Sequence, residues 1–524
     1  MRNTLCRHVA FLAALALSGS GTAISSEPIH INVHPAVVLG SIHRAVLGVN
    51  SDTRYDGAAA LAAASRVLST IGASGSRWPG GTHADMFNWQ DAAPSQMTPY
   101  CNSRIRQVSA DGDFDTYVNS LAIPDGLNPE ITVNYGTSGW PECTQGGDPM
   151  LAAAWVKYAN ITKGYNIKWW EVGNEVYERG EPDKHPNPHS AESYAQFEPP
   201  FYSAMKAVDP SILVGIPVTA GAHGVPNWDS QVLAGAKFDY VVFHYYPEFY
   251  PHISDAGLLA APTQGPFEVA KLMANIRSQL ASAGKCTSPC TGFPISISEW
   301  NSVSHNPTPQ TLTIVEGLFA AETLGEFFNA GVSRAEFFVD QGCQDNSPGA
   351  SGYNADPAAP VYGWQHGTGA LGLSVFAGVP DPLLCPHASF SAPPGTIFPS
   401  GRAIQLYAQS GFASEGSSSV LIDNPTPALR TYASYNAAQH RYVVCLINLD
   451  ENNDKTVRLT VDGIPGGPGY KMLQYSKKIY DETRDNGPWN GPISKSGDSW
   501  KSPVFVTLPP WSITTYTLMA NAEK

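Results

Sequence analysis

Two glutamates stand where short apolar runs of the sequence end. Glu175 follows the run at residues 168–173, and Glu299 closes a second run at residues 294–298, 124 residues later. A carboxylate beside a buried segment is costly unless it is paired or used. Hydrolysis of a glycosidic bond needs two carboxyl groups, one to protonate the leaving oxygen and one to attack the sugar or activate water. The pair therefore indicates a site that cleaves sugars.

The segments around these glutamates predict the scaffold that brings them together. Between residues 44 and 410, short apolar runs alternate with helical patterns, such as residues 58–71 before Gly72. Eight of the runs have the pattern of strands: residues 45–50, 75–78, 131–135, 168–173, 212–216, 240–244, 295–298 and 335–339. Eight such units predict a (β/α)8, or TIM, barrel with its active site at the C-terminal ends of the strands. The two glutamates then end the fourth and seventh strands.

An open, doubly wound sheet is the alternative arrangement of the same elements. That fold binds its ligands through a glycine-rich phosphate loop after a strand. No such loop follows any of the predicted strands. The closed barrel is therefore the favoured fold.

A different pattern begins at about residue 411. Short strands are predicted there, with turn residues between them and no long helix: residues 430–435, 441–448, 456–461, 470–475 and 504–508. These indicate a small antiparallel β-sandwich, and the alternating residues 29–33 are expected to join it. We expect this domain to support the barrel rather than to bind carbohydrate itself. The predicted domains are residues 24–43 (N-terminal strand), 44–410 (barrel) and 411–524 (sandwich).

Residues 1–23 have the pattern of a secretory signal. Arg2 and Arg7 precede an apolar run at residues 9–17, and small residues lead to an expected cleavage near Ala23. Its removal lowers the formal charge from −14 to −16. The protein is therefore expected to be secreted or periplasmic. No cluster of Lys or Arg suggests nucleic acid as a partner, and no other run is long and apolar enough for a membrane.

The chain has eight cysteines, of which Cys6 lies in the predicted signal. Export permits disulfides, but sequence does not fix their connectivity. The expected pairs are Cys101–Cys143, Cys286–Cys290 and Cys343–Cys385, with Cys445 as a free thiol in an apolar strand; the alternative is that all seven are free. None of them has zinc-ligand spacing with a histidine. We therefore expect neither a metal nor a cofactor.

Several motifs resemble the retaining glycoside hydrolases of clan A. Asn174-Glu175 after the fourth strand and Glu299 at the seventh look like the signature of that clan, and residues 244–246 match its His-x-Tyr. Residues 76–81, 133–137 and 170–175 (SRWPGG, VNYGT and WEVGNE) resemble most closely the α-L-arabinofuranosidases of family 51. Families 39 and 79, which contain xylosidases and glucuronidases, share much of the same plan.

The resemblance implies that Glu175 is the general acid/base and Glu299 the nucleophile. Glu299 needs hydrogen-bond donors, and Arg77 and Tyr246 are the candidates. Asn174 is suited to hydrogen-bond a sugar 2-hydroxyl, an interaction that strengthens in the transition state. His244 is placed to position Glu175 or the substrate. Alternatively, Arg77 forms a structural ion pair and His244 is a core residue.

Further candidates come from residue type and position. Asn134 is a weaker polar candidate at the third strand. Aromatic rings can stack on sugars or pack in the core, and the candidates are Trp78, Trp89, Trp140, Trp300 and Trp364. Three loop residues that could reach the mouth are Asp85, His305 and His366.

Together these features predict a secreted, retaining exo-glycosidase that acts on a polysaccharide or oligosaccharide, most similar to an arabinofuranosidase. The alternatives are a β-glucuronidase or β-xylosidase; the former needs a group for the substrate carboxylate, which no residue clearly supplies. A non-catalytic carbohydrate-binding protein is disfavoured because both glutamates are present. A metal-dependent hydrolase would require His-x-His or clustered carboxylates at the strand ends, which the sequence lacks.

EDTA is expected to leave glycosidase activity unchanged, because a mechanism based on two carboxyl groups requires no metal ion. The measurement is the rate of aryl glycoside hydrolysis before and after dialysis against EDTA. A loss of activity that added Zn²⁺ or Ca²⁺ restores would contradict the prediction.

Overall fold

A computed structural model describes residues 27–51, 57–90, 112–140, 142–221, 224–248, 253–304, 309–340, 395–423, 425–483 and 490–521. Some sequence predictions lie outside the described residues: the signal segment 1–23, Cys101, Cys343, Cys385, His305, Trp364 and His366. They stay predictions.

The first described strand, β1 (Ile29–Ser41), pairs with strands of the second domain. Eight of the described strands then form a closed parallel barrel in chain order: β2 (Gly48–Asn50), β3 (Gly75–Trp78), β4 (Asn128–Val133), β5 (Trp169–Val172), β6 (Leu213–Pro217), β7 (Tyr240–Tyr245), β8 (Ile295–Trp300) and β9 (Arg334–Phe337). The barrel closes because β9 pairs with β2, with Gly48 opposite Glu336. The predicted TIM barrel is confirmed, and the open sheet is wrong.

Helices connect the barrel strands: α1 (Ala58–Ile71), α2 (Phe114–Tyr117), α3 (Pro149–Val156), α4 (Ala191–Val208), α5 (Trp228–Gly235), α6 (Asp255–Ala260), α7 (Val269–Ser282), α8 (Ile314–Asn329) and α9 (Pro399–Ser410). Local sequence explains their ends. Gly72 ends α1 in a left-handed conformation with φ of 76°, and the side chain of Ser190 caps α4 by accepting from the Ser193 N–H. Within the described ranges, no helix is both long and apolar enough to cross a membrane.

The lower part of the barrel interior is polar. Arg334 Nε lies 2.9 Å from Oε2 of Glu130 and donates to Oε1 of Glu336 at 2.8 Å. Tyr240 donates its hydroxyl to Glu130 at 2.6 Å. These groups are fully buried, so each charge must be compensated inside the protein. Burial raises the pKa of Glu336 to about 8, although the Arg334 charge opposes this shift.

The remaining elements build the second domain: β10 (Ser417–Ile422), β11 (Leu429–Asn436), β12 (Arg441–Asn448), β13 (Lys455–Val461), β14 (Gly466–Ser476), α10 (Lys477–Thr483), β15 (Ile493–Lys501), β16 (Val504–Leu508) and β17 (Ser512–Met519). Nine described strands share one sheet, in the order β15-β14-β17-β12-β11-β10-β1-β13-β16. β1 pairs antiparallel with β10, so the N-terminal strand joins this sheet, as predicted. Its other pairing, with β13, is parallel, so the sheet is mixed rather than purely antiparallel.

The two domains meet along α8, whose residues are almost all buried. Arg430 on β11 forms a buried ion pair with Glu322 of the helix. Tyr432 donates to Glu326 at 2.9 Å. At Gly325 the helix lies so close to the sheet that an added Cβ would be 2.5 Å from the Tyr432 ring. The contact agrees with a supporting role for the second domain.

The cysteine predictions have separate outcomes. The Cys286–Cys290 disulfide is present. Cys143 is disulfide-bonded, but its predicted pairing with Cys101, like the pair Cys343–Cys385, cannot be followed within the described residues. Among the cysteines that the structure describes, Cys445 is free and buried, as predicted.

Gly325→Ala is expected to lower Tm, because the new methyl group would overlap the Tyr432 ring and force α8 away from the sheet. Overpacking of this kind costs about 1–3 kcal/mol. Calorimetry measures the change. The control is Gly292→Ala, where an added Cβ meets nothing within 4 Å; equal Tm values for the two variants would contradict the prediction.

Candidate active site

The two glutamates that the sequence singled out lie together at the C-terminal end of the barrel. Glu175 follows β5, and Glu299 lies near the end of β8. A carboxylate oxygen of each, together with a ring nitrogen of His244, lie within 4.8 Å of one another. Glu299 is buried, whereas the side chain of Glu175 is 22% exposed. The mouth therefore holds one enclosed carboxyl group and one that solvent reaches.

Glu299 receives two hydrogen bonds from side chains. Arg77 Nη1 donates to its Oε1 at 2.7 Å, and the Tyr246 hydroxyl donates to its Oε2 at 2.7 Å. Burial, followed by the charge of Glu299, holds the pKa of Tyr246 well above its usual value, so this hydroxyl keeps its proton. Both residues predicted to serve Glu299 thus contact it.

Arg77 also connects Glu299 to the barrel interior. Its Nε donates to Glu171 at 2.7 Å, its Nη2 donates to Oδ1 of Asn174 at 2.9 Å, and its Nη1 also reaches Oδ1 of Asn50 at 3.3 Å. Burial lowers the pKa of Arg77, but the charges of Glu171 and Glu299 outweigh it, so the pKa is raised. The guanidinium therefore forms a buried ion pair and also orients the side chains of Glu299 and Asn174 at the mouth.

Glu171 is the second anion of this ion pair, and it lies entirely inside the barrel. It accepts from Thr132 at 2.7 Å as well as from Arg77. Burial raises its pKa, and the nearby Arg77 charge opposes that shift. The sequence carried a signal for it, since a glutamate within the apolar strand β5 requires a buried partner, and Arg77 within β3 requires one too.

His244 lies between the two glutamates. Its Nδ1 is 2.7 Å from Oε1 of Glu175 and 3.6 Å from Oε2 of Glu299, and its Nε2 is 3.0 Å from the hydroxyl of Ser298. Burial lowers the pKa of the imidazole, but the charges of Glu299 and Glu175 more than offset this, so the pKa is raised. His244 is thus a core residue by burial and a contact of Glu175 by geometry.

Asn174, which follows β5, and Asp85, which follows β3, are in contact. The Asn174 N–H donates to Oδ2 of Asp85 at 2.7 Å, while its side-chain oxygen faces Arg77. Asp85 is fully buried. Burial raises its pKa to about 7, although hydrogen bonds from three backbone N–H groups oppose the shift. Asp85 therefore reaches the backbone of the site rather than the open mouth.

Two predicted binding residues have other contacts. The Trp300 ring is fully buried and packs edge-on against Phe337, with 4.9 Å between ring centroids. It offers no face to a sugar, because it also packs against Phe327 of α8, and the structure gives it a core position instead of the predicted binding role. The Asn134 side chain is used by the protein backbone, donating to the Phe87 carbonyl of the loop after β3 at 3.1 Å and accepting from the Thr137 N–H of its own loop at 2.9 Å.

Three other tryptophan candidates lie in the described residues, and two of them pack against aromatic neighbours. Trp78 is fully buried and stacked on Tyr117. Trp89 is stacked on Trp155 and is partly buried against the core. Trp140 keeps partial exposure.

Glu181 is a site neighbour that sequence reasoning missed. It is buried on the loop after Glu175 and accepts from the Thr82 hydroxyl at 2.8 Å. Burial and then the negative charge of Glu175 hold its pKa well above the usual range. Its loop position carried no periodic signal that would have indicated burial.

Comparison with known proteins gives similarities in part of the sequence and in the whole fold. No protein-family model matches the chain. The probable α-L-arabinofuranosidase C of Aspergillus niger is 26% identical over 179 residues, which cover 30% of this chain and 31% of that protein. The α-L-arabinofuranosidase C of Emericella nidulans matches to the same extent, 26% over 179 residues with the same coverage. The chain thus matches about a third of the length of these relatives.

Solved structures extend the likeness to nearly the whole chain. The α-L-arabinofuranosidase of Thermotoga maritima, in an arabinose complex, has a TM-score of 0.68 at 17% identity, covering 93% of this chain and 99% of that one. A family 44 xyloglucanase of Paenibacillus polymyxa has a TM-score of 0.60 at 12% identity, covering 94% and 99%. At these identities the likeness establishes the fold. The family 51 α-L-arabinofuranosidase of Thermotoga petrophila has a TM-score of 0.67 at 16% identity, covering 93% of this chain and 99% of that one. The predicted resemblance to family 51 is confirmed as a similarity of fold, and part of the sequence is similar to α-L-arabinofuranosidases.

Glu175→Gln is expected to lower the pKa of His244, because the carboxylate beside Nδ1 is one of the charges that raise it. NMR titration of the labelled imidazole measures the change. Glu482→Gln is the control, since this exposed residue lies on α10 of the other domain. An unchanged His244 titration in Glu175→Gln would contradict this effect of the Glu175 charge.

Proposed function

We propose that this protein is a retaining glycoside hydrolase that releases α-L-arabinofuranosyl groups from a polysaccharide or oligosaccharide, with Glu175 as acid/base and Glu299 as nucleophile. The observation that carries the proposal is the closeness of the two carboxylates, since an oxygen of Glu175 lies within 4.8 Å of an oxygen of Glu299. Retaining enzymes place the two carboxyl groups about 5–5.5 Å apart, whereas inverting enzymes leave about 6.5–9.5 Å for a water molecule. The short separation supports double displacement.

In the first step, a carboxylate oxygen of Glu299 attacks the anomeric carbon while Glu175 transfers its proton to the glycosidic oxygen. The bond from the anomeric carbon to the leaving oxygen breaks, and an ester to Glu299 forms. In the second step, Glu175 removes a proton from water, and the resulting oxygen attacks the same carbon and releases Glu299. Two inversions give net retention. The greater exposure of Glu175 suits the group that must meet both a leaving alcohol and water.

The neighbours of the pair have complementary parts in this scheme. Arg77 and Tyr246 hold the nucleophile through its two oxygens. Asn174, fixed by Arg77, is adjacent to Glu175 and suited to a sugar 2-hydroxyl. His244, with its raised pKa, can donate to Glu175 once that residue has given up its proton. The imidazole therefore stabilises the acid/base in the covalent intermediate.

The names of the sequence relatives and the motifs shared with family 51 support arabinofuranose as the sugar. A β-glucuronidase would need a group that binds the substrate carboxylate. Arg77 is committed to Glu171 and Glu299, and His244 contacts Glu175. Arg179, exposed on the loop after Glu175, is one cation that such an activity could recruit. We further propose secretion, on the predicted signal segment.

The test is hydrolysis of aryl α-L-arabinofuranoside, β-D-xyloside and β-D-glucuronide by the wild type and by Glu299→Ala and Glu175→Ala, with azide present. The wild type is expected to cleave the arabinofuranoside. Loss of general acid/base catalysis in Glu175→Ala should lower the rate for a poor leaving group by about 10²–10⁴-fold.

The azide products identify the two roles. Glu299→Ala should form a glycosyl azide of inverted configuration, because azide then attacks the substrate directly. Glu175→Ala should form the azide with retained configuration, because azide then attacks the covalent intermediate. Glu192→Ala, exposed on α4, is the control and should act as wild type. Full activity in Glu299→Ala would remove the proposed nucleophile, and cleavage of another glycoside alone would change the sugar.

A further inference from the structure

We propose that Asp85 is the positioning residue for the acid/base: its carboxylate holds the turn between β5 and Glu175 in the conformation that presents the Glu175 side chain. The inference rests on the proposed role of Glu175 and adds a residue that does not itself touch the reacting groups.

The turn that carries Glu175 has an unfavourable backbone conformation. Gly173 has φ of 82°, which glycine adopts freely, but Glu175 has φ of 39°. A residue with a side chain rarely occupies this left-handed region, and such strain persists only where surrounding contacts determine the conformation. Something outside the turn must therefore hold Glu175 in place.

Asp85 supplies such a contact from a different part of the chain. Its Oδ2 accepts the N–H of Asn174, the residue between the two positive φ angles, at 2.7 Å. Its Oδ1 accepts the N–H groups of Tyr135 and Gly136 at 2.8 and 3.0 Å. One fully buried carboxylate thus ties the residues that follow β4 to those that follow β5. The three N–H donors favour the ionised form of Asp85, and charge-assisted bonds to backbone N–H groups in a dry site are strong and directional.

The backbone is shaped to admit this carboxylate. A Cβ added at Gly136 would lie 2.9 Å from the Asp85 Cβ and 1.8 Å from the Pro182 carbonyl oxygen. A Cβ added at Gly173 would lie 2.9 Å from the Tyr135 Cβ. Glycine therefore occupies the positions where the three segments come closest. The close approach indicates a built arrangement rather than a chance contact.

The consequence for catalysis is specific. Asp85 fixes the backbone of Asn174, and Glu175 is the next residue, so loss of the contact should move the proton donor more than the nucleophile, which Arg77 and Tyr246 hold from other strands. A displacement of about 1 Å in a reacting group can cost about 100-fold in rate. We therefore expect slower proton transfer from Glu175 to the leaving group.

The test substitution is Asp85→Asn, which keeps the size of the side chain but replaces one acceptor oxygen with an NH₂ group. The amide cannot accept from all three N–H groups in the native geometry, because its NH₂ group must face a donor. The matched control is Asp229→Asn. Asp229 is also a buried aspartate that accepts a backbone N–H beyond a barrel strand, that of Thr219 after β6, at 2.7 Å, and it carries no proposed catalytic residue.

The first readout is kcat/KM for two aryl glycosides of the sugar that the wild type cleaves, one with phenol and one with 2,4-dinitrophenol as leaving group. Asp85→Asn should lower the value for phenol by about 100-fold and that for dinitrophenol by only a few-fold, because dinitrophenolate departs without a proton. Glu175→Ala provides the reference for this pattern. Asp229→Asn should change both values equally and by little. Equal losses for both leaving groups in Asp85→Asn, or no loss, would overturn the proposal.

The second readout is the crystal structure of Asp85→Asn beside the wild type and Asp229→Asn. We expect the Asn174 N–H to lose its acceptor and the contact between Glu175 and His244 to open beyond hydrogen-bond distance in Asp85→Asn alone. An unaltered turn would overturn the inference. Because this measurement needs no activity, a wild type that cleaves none of the glycosides would remove the proposed function while the role of Asp85 in the turn is still decided.

Discussion

The site depends on one desolvated cation, the guanidinium of Arg77 inside the barrel. Burying a charge is costly, and removing one partner of such a pair leaves the other uncompensated. Glu171 and Glu299 supply the compensating charges, and Asn174 accepts a further hydrogen bond. Glu299 is therefore part of the charge balance of the core as well as a residue of the mouth. Any change at Arg77 would disturb stability and the proposed chemistry together.

In the described barrel, a buried arginine lies between two glutamates at two different depths. Below, Arg334 lies between Glu130 and Glu336, all fully buried. Above, Arg77 lies between Glu171 and Glu299, and one of the two glutamates reaches the mouth. Both acids of the lower group are enclosed, so this group has a structural role. In the upper group the same charge pattern places the Glu299 carboxylate beside that of Glu175. A small difference in depth therefore separates a structural network from a candidate active site.

Much of the fold and the central pair could be predicted because barrel strands are short apolar runs whose ends converge. Asp85 could only be flagged, since its partners are backbone N–H groups 50 and 89 residues away, and residue types do not encode such contacts. Trp300 was misjudged because adjacent residues on a strand face opposite sides, so the neighbour of inward-facing Glu299 points to the helices. The strand β15 was missed because it is polar and exposed, without apolar alternation.

The position of β1 between β10 and β13 makes the second domain discontinuous along the chain. Ile29 pairs with Val457, 428 residues later, and the entire barrel is inserted between β1 and the rest of its sheet. During synthesis the N-terminal strand must wait unpaired while the barrel is made, and contacts of such long sequence separation form slowly. A fragment that begins at β10 would lack β1, the strand that lies between β10 and β13 in the sheet. The sheet can therefore be completed only after the whole barrel has been synthesised, and the barrel is then held between two parts of one domain.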